Sequence, residues 1–227
     1  MCELKRRDLL LGASAMLLYG CGDAEKYNQG KDYYPVANSS GLILHWGKNN
    51  TITIDTNDST GASPPTNGVN ILKEGFNQWA STLNQIGVTI NYSTTNPDVK
   101  VHWVNSFSNP NVLGKAWPNK KIEMRNDLDS SYGSGTTKST AVHEFGHMLG
   151  IWTHSFNSKD IMYPYATSVT ELSERDKKTL SEFLYSMTPD YDMHDLSGPS
   201  LIHPETGIEI PHFHTSYTTS GCFVITG

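Results

Sequence analysis

The amino-acid sequence predicts an α+β domain over residues 41–188. Segments in which apolar and polar residues alternate, as they do in half-buried strands, dominate the first part of this range. One helix lies among them, and two further helical segments come later. Strands first and helices later indicate the segregated layers of an α+β fold. The chain has 227 residues, of which 37% are hydrophobic and 18% charged, so it can form one soluble domain with a real core.

Four short segments are predicted to form strands. They are TITID (51–55), VTINY (88–92), VKVHWV (99–104) and KIEMR (121–125). Between the first two, apolar residues recur at helical spacing and predict a helix over about 68–85, which Gly87 ends. These apolar residues are Val69, Leu72, Phe76, Trp79 and Leu83.

The two later helices are predicted from their caps as well as from their spacing. We expect Ser139 to cap the start of the first helix and Gly150 to end it. The second helix covers residues 173–186 and begins at Ser173. Its inner face is predicted to carry Leu180, Phe183 and Leu184.

The first 20 residues have the layout of a signal peptide. A basic stretch precedes an apolar run that is too short to span a bilayer comfortably. The run ends in LYGC (18–21), which resembles the lipobox of bacterial lipoproteins, although Tyr19 replaces the small or β-branched residue usual there. The resemblance implies lipid on Cys21 and a protein exported and anchored to a bacterial membrane, cell envelope or cell surface. An uncleaved anchor, a plain signal peptide and the twin-arginine export route stay open.

Other parts of the sequence restrict the class of protein. Residues 21–40 are polar and aperiodic, as in a tether, and residues 189–227 form a turn-rich extension of unknown role. The formal net charge is −6 without a basic stripe, so nucleic acid is not an expected partner. Two of the three cysteines lie at the extreme N-terminus, which excludes a disulfide framework. We expect a monomer.

The stretch HEFGHMLGIWTH (143–154) carries the strongest functional signal. His143 and His147 are four residues apart, so a helix places them on one face. Gly150 can adopt a positive φ, which lets the chain leave the helix sharply and return His154 to the same point. Three histidines with an open fourth position are the ligand set of a catalytic zinc ion. A polar helix face with ordinary histidines would not explain this spacing.

Glu144 is the candidate catalytic residue because it directly follows the first predicted ligand. Zinc lowers the pKa of a bound water to about 7, and a carboxylate can take the proton of that water as it attacks a carbonyl. The same carboxyl group can then return the proton to the leaving amine. The pattern therefore predicts hydrolysis of an amide bond.

The histidine motif, together with DIMYP (160–164), resembles the extended zinc motif and Met-turn of the metzincin metalloproteases. Met162 stands at the Met-turn methionine, and Ser155 and Pro164 point to the matrixin branch, that of the matrix metalloproteinases. The resemblance covers about residues 42–187. It implies a zincin-like fold, with a twisted, mostly parallel sheet, a motif helix, a Met-turn and a C-terminal helix.

The resemblance also implies the cofactor and the substrate. One zinc ion is expected, because residues 105–135 contain no histidine for the structural zinc of animal matrixins. A protein or peptide substrate would pair in extended form with an edge strand within residues 112–125. Pro164 and Tyr165 would line the substrate pocket, and Ala166 replaces a usual tyrosine, which leaves the pocket depth open.

Three questions stay open at this point. The loops 55–59 and 126–131 are rich in oxygen ligands and are candidate calcium sites, although such loops are usually solvated turns. Cys222 is a candidate mask for the zinc, although an idle thiol is the more common case. The chain could also be a non-cleaving binding module for peptides or polymers, or a zinc hydrolase of a non-peptide amide. The intact Glu144 favours an enzyme over a binding module.

Overall fold

The structure is a computed structural model that describes Tyr33, Tyr34, Val36 and residues 43–117, 120–194, 201–202 and 209–210. The predicted signal peptide, Cys21 and Cys222 lie outside the described residues.

The elements follow one another along the chain with short connections. In order they are β1 (Leu44–His45), β2 (Thr51–Asp55), α1 (Gly68–Asn77), α2 (Ala80–Gln85), β3 (Thr89–Tyr92), β4 (Val99–Val104), β5 (Gly114–Trp117), β6 (Lys121–Arg125), α3 (Leu128–Tyr132), α4 (Thr136–Met148), α5 (Glu174–Lys178), β7 (Tyr191–Asp192), β8 (Leu201–Ile202) and β9 (Glu209–Ile210).

A five-stranded sheet forms one layer of the domain, in the order β3-β2-β4-β6-β5. β3, β2, β4 and β6 are parallel, and β5 pairs with β6 in the antiparallel sense at one edge. The four predicted strands are all present, and β5 lies within the predicted edge-strand stretch. The helices and this mostly parallel sheet confirm the predicted α+β, zincin-like fold.

The helix predicted over 68–85 is present but is divided into α1 and α2. The backbone N–H groups of Gln78 and Trp79 donate to carbonyls three residues earlier, at 3.1 Å in each case. One turn is therefore tighter than an α-helical turn, while both residues keep right-handed helical dihedrals. The predicted inward spacing holds for Leu72, Phe76, Trp79 and Leu83, which are fully buried, whereas Val69 is only half-buried.

The motif helix α4 starts earlier than predicted. Its N-cap is Gly135, with φ 88°, and the N–H of Ser139 already makes a helical bond to the Gly135 carbonyl at 2.9 Å. The expected cap at Ser139 is therefore wrong. The Ser139 hydroxyl instead donates to the carbonyl of Val169 at 2.7 Å.

The last helix begins as predicted and then widens. Ser173 accepts the N–H of Asp176, and Asp176 accepts the N–H of Ser173, which is a complete capping box. After α5 the chain forms a π-helical turn, Thr179–Phe183, and a 3-10 turn, Leu184–Ser186. Leu180 and Leu184 are fully buried, whereas Phe183 is only partly so.

Two buried tryptophans fix α4 against the rest of the core. The indole Nε1 of Trp79 donates to the carbonyl of Val142 at 3.0 Å, and that of Trp46 donates to the carbonyl of Met148 at 2.6 Å. The ring of Phe76 stacks on that of Phe145, with centroids 4.4 Å apart. Fully burying one such side chain contributes about 1.5–3 kcal/mol, so the motif helix is held by packing more than by its own helix propensity.

The packed part of the chain includes residues from the predicted tether. Tyr34 and Val36 are buried in the core, with 1% and 0% exposure. The polar composition of residues 21–40 does not predict that these two side chains are buried, because composition is an average over many residues. None of the helices in the described ranges is both long and apolar enough to cross a bilayer.

Gly150 ends the motif helix in the way the sequence predicts. Its φ is 109°, and a Cβ at this position would lie 2.2 Å from the backbone oxygen of Leu44. A side chain here would therefore be strained by the backbone conformation and would also clash with the backbone of β1. The sharp turn at Gly150 is what sends the chain back toward His154.

Gly150→Ala is expected to destabilise the protein more than Gly133→Ala does. Gly133 also has a positive φ, 103°, but a Cβ there meets nothing within 4 Å. Both variants carry about 1–3 kcal/mol of backbone strain, and only Gly150→Ala adds the clash with Leu44. Urea unfolding of both proteins measures the difference, and equal losses of unfolding free energy would show that the close approach is unimportant.

Candidate metal centre

Three histidines from the motif converge on one point. His143 and His147 lie on one face of α4, and His154 returns after the turn at Gly150. The ring centroids are 4.8 Å apart for His143 and His147, 5.2 Å for His143 and His154, and 5.1 Å for His147 and His154. One nitrogen from each ring lies within 4.8 Å of the other two. Among the described residues, these three form the one group able to hold a metal ion.

Backbone carbonyls fix the tautomer of two of the rings. Nδ1 of His143 lies 2.8 Å from the carbonyl oxygen of Ile161, and Nδ1 of His147 lies 2.6 Å from that of Ile151. A carbonyl oxygen only accepts, so both Nδ1 atoms carry the proton and donate it. In the neutral rings the two Nε2 atoms are therefore left with lone pairs.

Burial keeps these rings neutral. It lowers the pKa of His143 to about 4, and burial together with the nearby His143 ring lowers the pKa of His154 to about 3. Burial is also the main reason why the pKa of His147 lies well below its ordinary value, with His143 and His154 adding to the effect. At neutral pH the rings are therefore uncharged, and Nε2 of His143 and Nε2 of His147 present lone pairs to each other.

The arrangement of the nitrogens fits a zinc ion. Nε2 of His143 and Nε2 of His147 are 3.1 Å apart, both as acceptors, and Nε2 of His154 is buried without a hydrogen-bond partner. Two facing lone pairs beside a third buried ring nitrogen are unfavourable unless a cation binds there. Tetrahedral zinc with nitrogen ligands at 2.0–2.1 Å requires nitrogen separations of roughly 3.3 Å, close to the observed value.

Glu144 lies beside the first histidine and beneath the edge strand. It is fully buried, and a Cβ at Gly114 of β5 would lie 3.0 Å from its Oε1 atom. Strand β5 can therefore pass this close only because Gly114 has no side chain. The candidate base is thus held between the motif helix and the strand predicted to bind substrate.

Met162, the methionine of the predicted Met-turn, packs against the motif helix. It is fully buried, and its sulfur would lie 2.4 Å from a Cβ at Gly146, the residue before the second ligand. The carbonyl of Met162 accepts the N–H of Ser155, next to the third ligand, at 2.8 Å. Met162 therefore contacts the base of the metal centre through packing and its main chain.

The predicted pocket residues lie just beyond this turn. Pro164 is half-buried, and Tyr165 is 45% exposed with its ring 5.6 Å from that of Tyr163. The segment that follows is fixed to the helices, because Gln78 Nε2 donates to the carbonyl of Thr170 at 2.6 Å. A role for Pro164 and Tyr165 in a substrate pocket stays a prediction.

The carboxylates of the candidate calcium loops are engaged by protein groups. Asp58 accepts the N–H and the hydroxyl of Thr60 at 2.9 and 2.7 Å, and Asp127 makes a two-pronged contact with Arg125 at 2.7 and 2.8 Å. Lys100 also lies 3.6 Å from Asp58. Calcium in these loops stays a prediction.

Sequence reasoning missed the groups that hold the ligands in place. The carbonyls of Ile151 and Ile161 are backbone atoms, so no residue type marks them. The capping role of Asp176 could have been predicted, because S-E-R-D (173–176) has the spacing of a capping box. Its Oδ2 atom accepts the N–H of Ile161 at 2.9 Å and so fixes the residue that orients His143.

Comparison with known proteins gives one family. The model of a protein family described as matrixin matches residues 45–186, which include the three histidines, Glu144 and Met162. No curated protein matches the chain.

His154→Ala is expected to abolish tight zinc binding while His102→Ala retains it. His154 supplies one of three ligands, and an incomplete set holds zinc far more weakly. His102 is a matched control because it contacts Thr60 and Asp58 rather than the other histidines. After dialysis, elemental mass spectrometry should find about one zinc ion per chain in wild type and in His102→Ala. Equal content in His154→Ala would refute the ligand assignment.

Proposed function

The chain belongs to the matrixin family, and on that premise we propose that it is a zinc-dependent endopeptidase that cleaves extracellular proteins or peptides. The family match supports zinc metallopeptidase activity in general, and a protein or peptide is the general substrate of a peptidase. The observation that supports the metal's role most directly is the pair of facing Nε2 lone pairs of His143 and His147. The endopeptidase mechanism and the extracellular substrate belong to the proposal.

The residues that would hold the zinc are His143, His147 and His154, each through Nε2. When bound, the ion supplies Lewis acidity, which lowers the pKa of a water molecule and polarises a carbonyl. Ile161 and Ile151 hold the first two rings in the tautomer that leaves Nε2 unprotonated.

Glu144 is the proposed catalytic base. Its carboxylate takes a proton from the attacking water and then gives it to the leaving amine, which balances the hydrolysis of the peptide bond. Full burial restricts the carboxylate to one region, between α4 and β5. Such confinement keeps the base aligned with the attacking water without loss of entropy at each turnover.

Strand β5 supports a peptide rather than a small molecule as substrate. It is the last strand of the sheet on that side, so within the described residues its outer edge is unpaired. An extended peptide can add to such an edge by main-chain hydrogen bonds. Because Gly114 of β5 lies directly against Glu144, a peptide bound there would run past the catalytic base.

The second part of the proposal is attachment to a membrane through lipid on Cys21. It is supported by the sequence LYGC (18–21) after a basic and an apolar stretch. Anchoring at Cys21 would hold the catalytic domain outside the cytoplasm, which agrees with an extracellular substrate.

Glu144→Gln is expected to lower kcat by about 10²–10⁴ while leaving about one zinc per chain. The amide keeps the shape of the side chain but cannot accept the proton. Cleavage of a peptide found in a library screen measures the effect, and peptide binding should persist. The matched control is Glu74→Gln, on the exposed side of α1, which should leave kcat unchanged.

Turnover by Glu144→Gln within about threefold of wild type would contradict the assigned base. If the zinc-loaded wild type binds peptides but cleaves none, the chain is a binding module. If it cleaves only non-peptide amides, the proposed peptide substrate is wrong, but the proposed metal centre is not contradicted.

The mature protein is expected to begin at Cys21 and to carry several acyl chains on that residue. One chain gives only marginal membrane binding, so stable anchoring requires more than one. Mass spectrometry of the protein from the membrane fraction of a bacterial host tests this. Cys21→Ala should release the protein from the membrane, and an unmodified Cys21 in wild type would contradict the anchor.

A further inference from the structure

The hydrogen bonds behind the metal centre lead back to Tyr34, which precedes the first strand. Tyr34 is 1% exposed, and its hydroxyl donates to Asp176 Oδ1 at 2.7 Å. The other oxygen of Asp176 accepts the N–H of Ile161 at 2.9 Å. The carbonyl of Ile161 accepts from Nδ1 of His143 at 2.8 Å. Two residues, Asp176 and Ile161, therefore separate Tyr34 from the first histidine.

A second connection runs from the main chain two residues later. The carbonyl of Val36 accepts the N–H of Trp152 at 3.2 Å. That N–H belongs to the same planar peptide unit as the carbonyl of Ile151, which accepts from Nδ1 of His147 at 2.6 Å. Docking of Val36 thus fixes the peptide unit that orients the second histidine.

A third connection reaches the neighbour of His154. The guanidinium carbon of Arg175 lies 5.7 Å from the centre of the Tyr34 ring. Arg175 Nη2 donates to Ser155 Oγ at 2.7 Å, and Asp160 forms an ion pair with Arg175. Tyr34 therefore packs on a charged cluster that holds the residue after the third histidine.

From these contacts we propose that Tyr34 is a positioning residue for the metal centre. It touches neither the substrate nor the zinc, and it acts chiefly through Asp176 and Ile161 on the ring of His143. A partner that orients the far nitrogen of a metal-binding histidine raises the affinity for the metal, because the ring is already turned toward the ion. The proposal rests on the proposed function, since it requires zinc at the three histidines.

The test compares Tyr34→Phe with Tyr185→Phe in the full exported chain. Both tyrosines are 1% exposed, and Tyr185 donates its hydroxyl to the carbonyl of Leu149 at 3.2 Å, not to a group that holds a histidine. Each variant loses one buried hydroxyl and keeps its ring. The dissociation constant for zinc, measured by competition with a chromophoric chelator, should rise about tenfold in Tyr34→Phe and less than about twofold in Tyr185→Phe.

A spectroscopic readout separates positioning from general stability. The visible absorption spectrum of the cobalt-substituted protein depends on the geometry of the ligands around the ion. Tyr34→Phe should change the band positions or intensities, and Tyr185→Phe should leave them as in wild type. A loss of unfolding stability in Tyr34→Phe with an unchanged spectrum and zinc affinity would make the residue merely structural and would overturn the proposal.

Asp176→Asn tests the route of the effect. The amide oxygen can still accept the N–H of Ile161, but the amide nitrogen cannot accept the hydroxyl of Tyr34. Zinc affinity should fall about as much as in Tyr34→Phe. The double variant, Tyr34→Phe with Asp176→Asn, should bind zinc less than about twofold more weakly than either single variant, because both substitutions remove the same hydrogen bond. If the loss of zinc affinity in the double variant equals the product of the two single losses, the effect of Tyr34 does not run through Asp176.

The remaining outcomes are also decisive. If Tyr34→Phe fails to fold, an unchanged zinc affinity in Asp176→Asn overturns the proposal and a tenfold loss supports it. An equal loss of affinity in Tyr34→Phe and Tyr185→Phe overturns it as well. If wild type itself binds no zinc, the proposed metal function fails first, and this result differs from every outcome above.

Discussion

Two imidazole nitrogens face each other inside this protein at 3.1 Å, and neither carries a proton. The carbonyls of Ile161 and Ile151 take the Nδ1 protons of His143 and His147, and burial keeps both rings neutral. Such a contact is unfavourable by itself, because both atoms are desolvated acceptors. A bound cation would satisfy both lone pairs. The surrounding structure holds the two rings in this arrangement.

This support comes from several directions. Trp79 and Trp46 fasten the motif helix by indole hydrogen bonds to its carbonyls. Gly150 turns the chain against the backbone of Leu44, and Met162 fills the space beneath the helix. Each of these contacts is long-range in sequence, so the metal centre depends on the completed core rather than on the motif alone. This dependence connects folding with metal binding, since zinc binding stabilises the same arrangement.

The sequence predicted that the three histidines come together, and it predicted a good part of the fold, for reasons that differ between elements. The ligands, Glu144 and Gly150 were predictable because their chemistry needs fixed spacing along a helix and a residue that tolerates positive φ. The start of α4 was not, because Ser139 bonds to Val169, a residue distant in sequence. Tyr34 was lost in a polar stretch, because burial of one side chain leaves no periodic pattern. The carbonyls of Ile151 and Ile161 were invisible, since any residue supplies a carbonyl.

The central claim is that the three histidines bind zinc through nitrogens that the fold has already oriented. X-ray absorption at the zinc edge of the loaded protein tests it most directly. The account predicts three imidazole nitrogens at about 2.0–2.1 Å, with an oxygen completing the set. The outer-shell scattering of the rings should indicate coordination through Nε2, because Nδ1 is engaged by carbonyls in His143 and His147. A sulfur ligand at about 2.3 Å, or fewer than three imidazoles, would contradict it.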